Sequence, residues 1–148
     1  MAAREWTAEE LISFEEEIVR LFEDRQIRSP VHLDNGNETP LIEVFSKYVK
    51  ADDWVMGSWR MHYKCLLHGV PQDRLKGAIL EGRSIALCFP EYRIVSSAIV
   101  GGILPVAVGV ALAIKRSGGT NKVVCFLGDM TSETGIFYEC QKYAFHYD

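Results

Sequence analysis

Val123-Val124-Cys125-Phe126-Leu127-Gly128-Asp129-Met130-Thr131-Ser132-Glu133 is the stretch that decides the fold class of this chain. Apolar and β-branched residues run without a breaker from Lys122 to Leu127, which predicts a buried strand. Gly128-Asp129 then turns the chain, and Ser132-Glu133-Thr134 opens a last helix. An open α/β sheet places its ligands at the carboxyl ends of its strands. A carboxylate there can hold a divalent cation, since Mg²⁺ takes one or two carboxylates together with phosphate and water. The same Asp also reads as a plain turn former. The chain ends at Asp148, soon after this turn, so a site begun at Asp129 has little sequence in which to be completed.

Composition narrows the class. The 148 residues suffice for one domain with its own core, and 48% hydrophobic against 24% charged is a globular balance. The net charge of −4 comes with no basic block, which speaks against a nucleic-acid partner. Cys65, Cys88, Cys125 and Cys140 form no CxxC pair. They read as reduced packing residues of a cytoplasmic protein rather than a disulfide frame or zinc site. Met1 to Glu10 is polar and acidic, unlike a secretory signal. Ile94–Ile114 approaches the length of a membrane span, but Ser96-Ser97, Gly101-Gly102 and Pro105 interrupt it. It reads as a small-residue helix from Leu104 onward, packed inside the domain or against another subunit, with no membrane partner.

Outward from the strand, helix and strand signals alternate. Thr7-Ala8-Glu9-Glu10 is a capping box. The helix it opens runs to about Arg25, with Leu11, Phe14, Ile18, Leu21 and Phe22 on one face and Glu15, Glu16 and Glu17 on a solvated one. Residues 32–38 form a polar loop, and Thr39-Pro40 starts a second helix with Thr as cap, reaching about Val49. A short strand is expected at 52–56, a helix through Leu67 closed by His68-Gly69, a helix from Pro71 to Leu80, and a loop over 82–91. Such alternation indicates an α/β domain with a parallel sheet. The expected division is a helical segment over 1–50 and an α/β core over 51–148, together one truncated or split domain.

Several residues could carry chemistry. Arg60 offers the planar fork that suits phosphate, and His62 a group that titrates near neutrality; a surface Arg and a hydrogen-bonded helix His are the plain alternatives. His32 sits in the polar loop, where function often resides. Ser96 to Gly102 has small residues that allow a ligand close to the backbone, or tight helix packing. No GxGxxG opens a helix after a strand and no GxxxxGK[ST] occurs, which argues against dinucleotide and P-loop sites.

Taken in order, these pieces resemble a known family. His-Leu-x-x-Gly-x-Glu (32–38), Asp-Trp-Val with Trp-Arg-x-His-Tyr (53–63), Leu-Leu-His-Gly-Val-Pro (66–71), Ser-Ser-Ala-Ile-Val-Gly-Gly-x-x-Pro (96–105) and Leu-Gly-Asp (127–129) are similar to the alpha subunit of thiamine diphosphate-dependent 2-oxo acid dehydrogenases, the E1 component of a transketolase-like family. The resemblance covers about residues 9–148 and implies the N-terminal part of a thiamine diphosphate-binding fold. It implies an oxidoreductase that cleaves a carbon–carbon bond of a 2-oxo acid or ketose-like substrate with acyl or ketol transfer. Thiamine diphosphate and Mg²⁺ are the implied cofactors. Asp129 matches the metal ligand, with Met130 and Thr131 beside the diphosphate. Trp59 and Arg60 match a diphosphate-binding pair. Ala98 and Val100 match backbone contacts to the aminopyrimidine, and His32 and His62 match active-site histidines. The implied partners make a heteromer: the downstream half of the alpha-type domain, a beta-type subunit and a lipoyl-bearing acyltransferase.

The chain departs from that pattern in three places. Met130 stands for the last Gly of Gly-Asp-Gly, and Ser84-Ile85-Ala86 stands for Ser-Met-His. The downstream Asn that serves as a metal ligand would lie beyond Asp148. The alternative reading is a non-catalytic assembly or regulatory subunit that kept the fold.

Overall fold

The computed structural model describes residues 5–147. Its centre is a four-stranded sheet in the order β2-β3-β1-β4, with β1 Trp54–Gly57, β2 Cys88–Phe89, β3 Ile94–Ser96 and β4 Val123–Phe126. β1 runs parallel to both β3 and β4, as expected, whereas β2 pairs with β3 antiparallel, so the sheet is mixed. β4 stands at one end of this order, with its outer edge unpaired among the described residues.

Alternation along the strands divides the core in two. The register aligns Ile94, Val55 and Val124 in one row and Ser96, Gly57 and Phe126 in the next. This face is covered by α1 (Ala8–Glu23), α2 (Glu38–Tyr48), α3 (His62–Leu67) and α4 (Gln72–Leu80), through buried Leu11, Phe14, Leu41, Phe45, Leu66 and Leu75 among others. The opposite row, Val95, Met56 and Cys125, packs against Ile103 and Ala107 of α5 (Ile103–Arg116). α1 begins as expected: Thr7 Oγ1 accepts from the Glu10 amide at 3.2 Å and Glu10 accepts from the Thr7 amide at 2.9 Å. Such a cap contributes about 1 kcal/mol.

Several expectations change. The second helix is capped at Asn37, not Thr39, because the Glu38 carboxylate turns back to accept the Gly36 amide at 2.9 Å. The loop expected over 82–91 contains β2 and the 3-10 turn Pro90–Tyr92. The apolar run Ile94–Ile114 is strand, turn and helix, since its first residues pair with β1. No helix among the described residues is long and apolar enough to cross a membrane. The chain after β4 forms a one-turn helix α6 (Asp129–Ser132) and then α7 (Gly135–His146). α7 packs on α5 while Tyr138, Tyr143 and Phe145, with Val106 of α5, remain exposed. All four cysteines are free thiols, as expected. The polar stretch read as lacking a signal falls partly on residues 1–4, outside the described residues.

Candidate functional site

Because β1, β3 and β4 are parallel, their carboxyl ends lie on one side of the sheet. The segments leaving them are Ser58-Trp59-Arg60, Ser97–Gly102 and Leu127–Met130. A cleft of about 390 Å³ opens there, walled by Trp59, Arg60, Lys64, Asp34, Phe126 and Gly128 among others. Gly57, the last residue of β1, sets how closely these segments approach. A Cβ there would come within 2.5 Å of the Met61 sulfur and 3.1 Å of the Phe126 carbonyl oxygen. Gly101 does the same after β3. It has φ +73°, and a Cβ would meet Ile136 Cγ2 at 2.6 Å, so the 97–102 turn lies against the start of α7.

The cleft gathers positive charge. Arg60 is exposed, and its Nε donates to the Leu33 carbonyl at 2.9 Å, which orients the guanidinium. Lys64 is buried, donates to Asp34 Oδ1, and lies 5.9 Å from the Phe126 ring centre. That ring stacks on Phe45 at 5.6 Å. Burial pushes the Asp34 carboxyl above its ordinary range, against the pull of Lys64 and the Tyr63 amide. Ser58 lines the cleft with a buried hydroxyl that has no hydrogen-bond partner among the described residues.

A buried polar network stands behind this wall. Glu15 Oε1 and Oε2 accept the Asp34 amide at 2.9 and 3.0 Å, and Oε2 accepts the Asn35 amide at 3.4 Å. Glu15 Oε1 also lies 3.1 Å from His62 Nδ1, and His62 Nε2 lies 2.9 Å from Ser84 Oγ. A carboxylate only accepts, so Nδ1 carries the proton and donates to Glu15. The Tyr63 hydroxyl donates to Glu38 at 3.0 Å. Burial drives the Tyr63 hydroxyl pKa far up, with Glu15 and Glu38 adding to it. In Glu38, burial acts upward but the backbone and Tyr63 hydrogen bonds outweigh it, and the carboxyl sits below its ordinary value.

The expected site residues divide accordingly. Trp59 and Arg60 line the cleft with Gly128. His32 is exposed and tilted against Trp59, with ring centres 5.8 Å apart. Asp129 follows Gly128 at the rim; it is exposed, and its Oδ1 accepts the Met130 amide at 2.8 Å. Met130 is exposed and Thr131 buried. Ala98 and Val100 are exposed in the turn after β3. His62 does not reach the cleft surface: it is 0% exposed with both ring nitrogens engaged. Among the described residues no group of three or more His, Cys, Asp or Glu is placed to hold a metal.

Glu15, Asp34, Glu38, Lys64 and Ser84 were not expected here. Glu15 was placed on a solvated face and is buried, 4% exposed. Its spacing carried the signal: Leu11, Phe14, Glu15 and Ile18 share one helical stripe.

A family described as Dehydrogenase E1 component matches residues 7–147. The chain is 28% identical over 141 residues to the alpha subunit of acetoin:2,6-dichlorophenolindophenol oxidoreductase from Bacillus subtilis, covering 88% of this chain and 42% of that one. It is 30% identical over 129 residues to the mitochondrial pyruvate dehydrogenase E1 component subunit alpha of Chaetomium thermophilum, covering 81% and 31%. It is 30% identical over 164 residues to the chloroplastic pyruvate dehydrogenase E1 component subunit alpha-3 of Oryza sativa, covering 90% and 38%. The chain thus spans well under half the length of these relatives.

Proposed function

Since the chain belongs to the Dehydrogenase E1 component family, we propose that it is the N-terminal part of a thiamine diphosphate-binding fold whose diphosphate and Mg²⁺ sit at the cleft where β1 and β4 end. One observation carries this reading: Arg60, Lys64, the orphaned Ser58 hydroxyl and Gly128, with Asp129 next in the chain, converge there. The fit is chemical. Arg60 and Lys64 supply cationic donors for an anion. The buried Ser58 hydroxyl lacks a partner that a ligand oxygen would supply. Asp129 keeps one carboxylate oxygen clear of the Met130 amide, which suits a cation held mainly by phosphate and water.

When bound, thiamine diphosphate would supply a nucleophilic carbon and an electron sink for cleavage of a carbon–carbon bond. The protein's part is orientation and proton handling. Trp59 and Phe126 wall the cleft with apolar surface, while Ala98 and Val100 offer backbone groups to the ring end. His32, exposed beside Trp59, is the imidazole that would exchange a proton with substrate. The substrate class is a 2-oxo acid or a ketose-like carbonyl compound. We further assign the unpaired β4 edge and the exposed Tyr138, Tyr143 and Phe145 to contacts with the rest of an alpha-type domain and a beta-type subunit, and the acyl acceptor to a lipoyl-bearing partner.

Ala86 favours a second reading, a non-catalytic subunit, because it is exposed in the 82–87 loop and holds no group that can move a proton. Calorimetric titration of the intact protein in its native assembly separates the two. The first reading expects Mg²⁺-dependent binding of thiamine diphosphate, weakened about tenfold or more by Arg60→Ala and by Asp129→Asn, as lost charge-assisted bonds should. The second expects no binding and no effect of either change.

A further inference from the structure

His62 is the buried imidazole that the proposed chemistry leaves unused, and it lies at the middle of an unbroken chain of hydrogen bonds. Ser84 Oγ meets Nε2 at 2.9 Å, Nδ1 meets Glu15 Oε1 at 3.1 Å, and Glu15 holds the amides of Asp34 and Asn35. Leu33, the residue before Asp34, accepts Arg60 Nε at 2.9 Å. The chain therefore begins in the loop after α4, crosses the core through α3 and α1, and ends on the guanidinium that faces the cleft. His62, Ser84 and Glu15 are 0%, 0% and 4% exposed, so water cannot substitute for any link.

Among the described residues the bond to Leu33 is the guanidinium's one hydrogen bond. The position of residues 33–35 therefore decides where the two terminal nitrogens of Arg60 point. Those residues have few alternatives: Asn35 has φ 28° and Gly36 φ 85°, so the loop is wound in the left-handed region. Polar strapping by Glu15 holds such a loop in one conformation. Asp34 is also held by Lys64, the Tyr63 amide and Asn37, so losing Glu15 loosens rather than frees the Leu33 carbonyl that Arg60 follows.

We infer that His62 is a positioning residue which, through Glu15 and the 33–35 loop, sets the guanidinium of Arg60 for an anionic ligand. This rests on the reading of Arg60 as a diphosphate ligand. The test is a double-mutant cycle on the intact protein in its native assembly, titrated with inorganic pyrophosphate and Mg²⁺. Arg60→Ala should weaken pyrophosphate binding about tenfold or more. His62→Ala should weaken it severalfold, and His62→Asn, whose amide nitrogen can replace Nδ1, should recover most of that loss. The double variant Arg60→Ala/His62→Ala should bind no more weakly than Arg60→Ala alone, within about twofold, because His62 acts only through Arg60.

Multiplying losses in the double variant, or unchanged affinity in His62→Ala, would overturn the inference and leave the diphosphate reading standing. Absence of pyrophosphate binding by the unaltered protein would instead remove the diphosphate reading, and the inference with it. If His62→Ala does not fold, Ser84→Ala breaks the chain at a gentler point, and the same comparison with Arg60→Ala decides.

Discussion

Replacing Glu15 by alanine removes the acceptor on which the polar network hangs, and the structure sets the size of the effect. Two buried donors lose their partner: the Asp34 amide, held at 2.9 and 3.0 Å, and His62 Nδ1 at 3.1 Å. The Asn35 amide, which donates to Glu15 at 3.4 Å, belongs to an exposed residue and can turn to water. A buried donor left without a partner costs about 1–3 kcal/mol, so the two together cost roughly 4 kcal/mol. Domains are stable by only about 5–15 kcal/mol, so this is a large share of the total. For a domain of this size it corresponds to a fall in Tm of about 8–16 °C. Glu15→Gln should cost far less, about 1 kcal/mol. Its amide oxygen still accepts from Asp34, and its amide nitrogen can donate to Nδ1 once His62 takes the other tautomer and Nε2–H donates to Ser84. Urea unfolding of both variants, compared at constant m, measures the difference. A Glu15→Ala loss under about 1 kcal/mol would refute the reasoning. So would a Glu15→Gln loss as large as that of Glu15→Ala.

Gly57→Ala should destabilise the fold by about 1–3 kcal/mol in a thermal melt, since the new methyl would overlap the Met61 sulfur and crowd the Phe126 carbonyl. An unchanged Tm would mean that β1 and β4 can separate freely. His68 gives a dependence on pH. Burial pulls its ring below the ordinary value of 6.5, with the Asp53 carbonyl opposing in part. The fold thus favours the neutral ring, and this contribution is complete above 6.5 and lost as pH falls from there toward the lower folded value. Melts taken on either side of that window should show a larger drop on acidification in the unaltered protein than in His68→Gln. Cys125, pushed up to about 11 by burial and by Cys140, should resist thiol reagents at pH near 8 while exposed Cys88 reacts.

What was legible in the sequence were the elements that local pattern determines. α1 carries its own capping box and stripe, and β4 its own unbroken apolar run, so both could be read in place. β2 and β3 are two and three residues long and exist because β3 pairs with β1 and β2 with β3, a fact that no local pattern contains. Thr39 is not the cap because the helix already begins at Glu38, whose carboxylate is bound by the Gly36 amide and by Tyr63, a residue 25 positions away. Part of the cleft was legible: the Gly128-Asp129 turn by its place after β4, Arg60 by its guanidinium, and Trp59 through the family resemblance. Lys64, Asp34 and Glu15 were not, since charged residues read as solvated until tertiary packing pairs them. His62 was marked by its chemistry, but only packing shows that it faces inward.

The central claim is that the cleft at the ends of β1 and β4 holds a diphosphate and its metal. The most direct test is a crystal structure of the intact protein with thiamine diphosphate and Mn²⁺ in place of Mg²⁺, with the metal located by its anomalous signal. The account predicts a metal peak about 2.1–2.3 Å from an Asp129 carboxylate oxygen, with the diphosphate between Arg60 and Gly128. A cofactor bound elsewhere, or a metal that Asp129 does not touch, would contradict it.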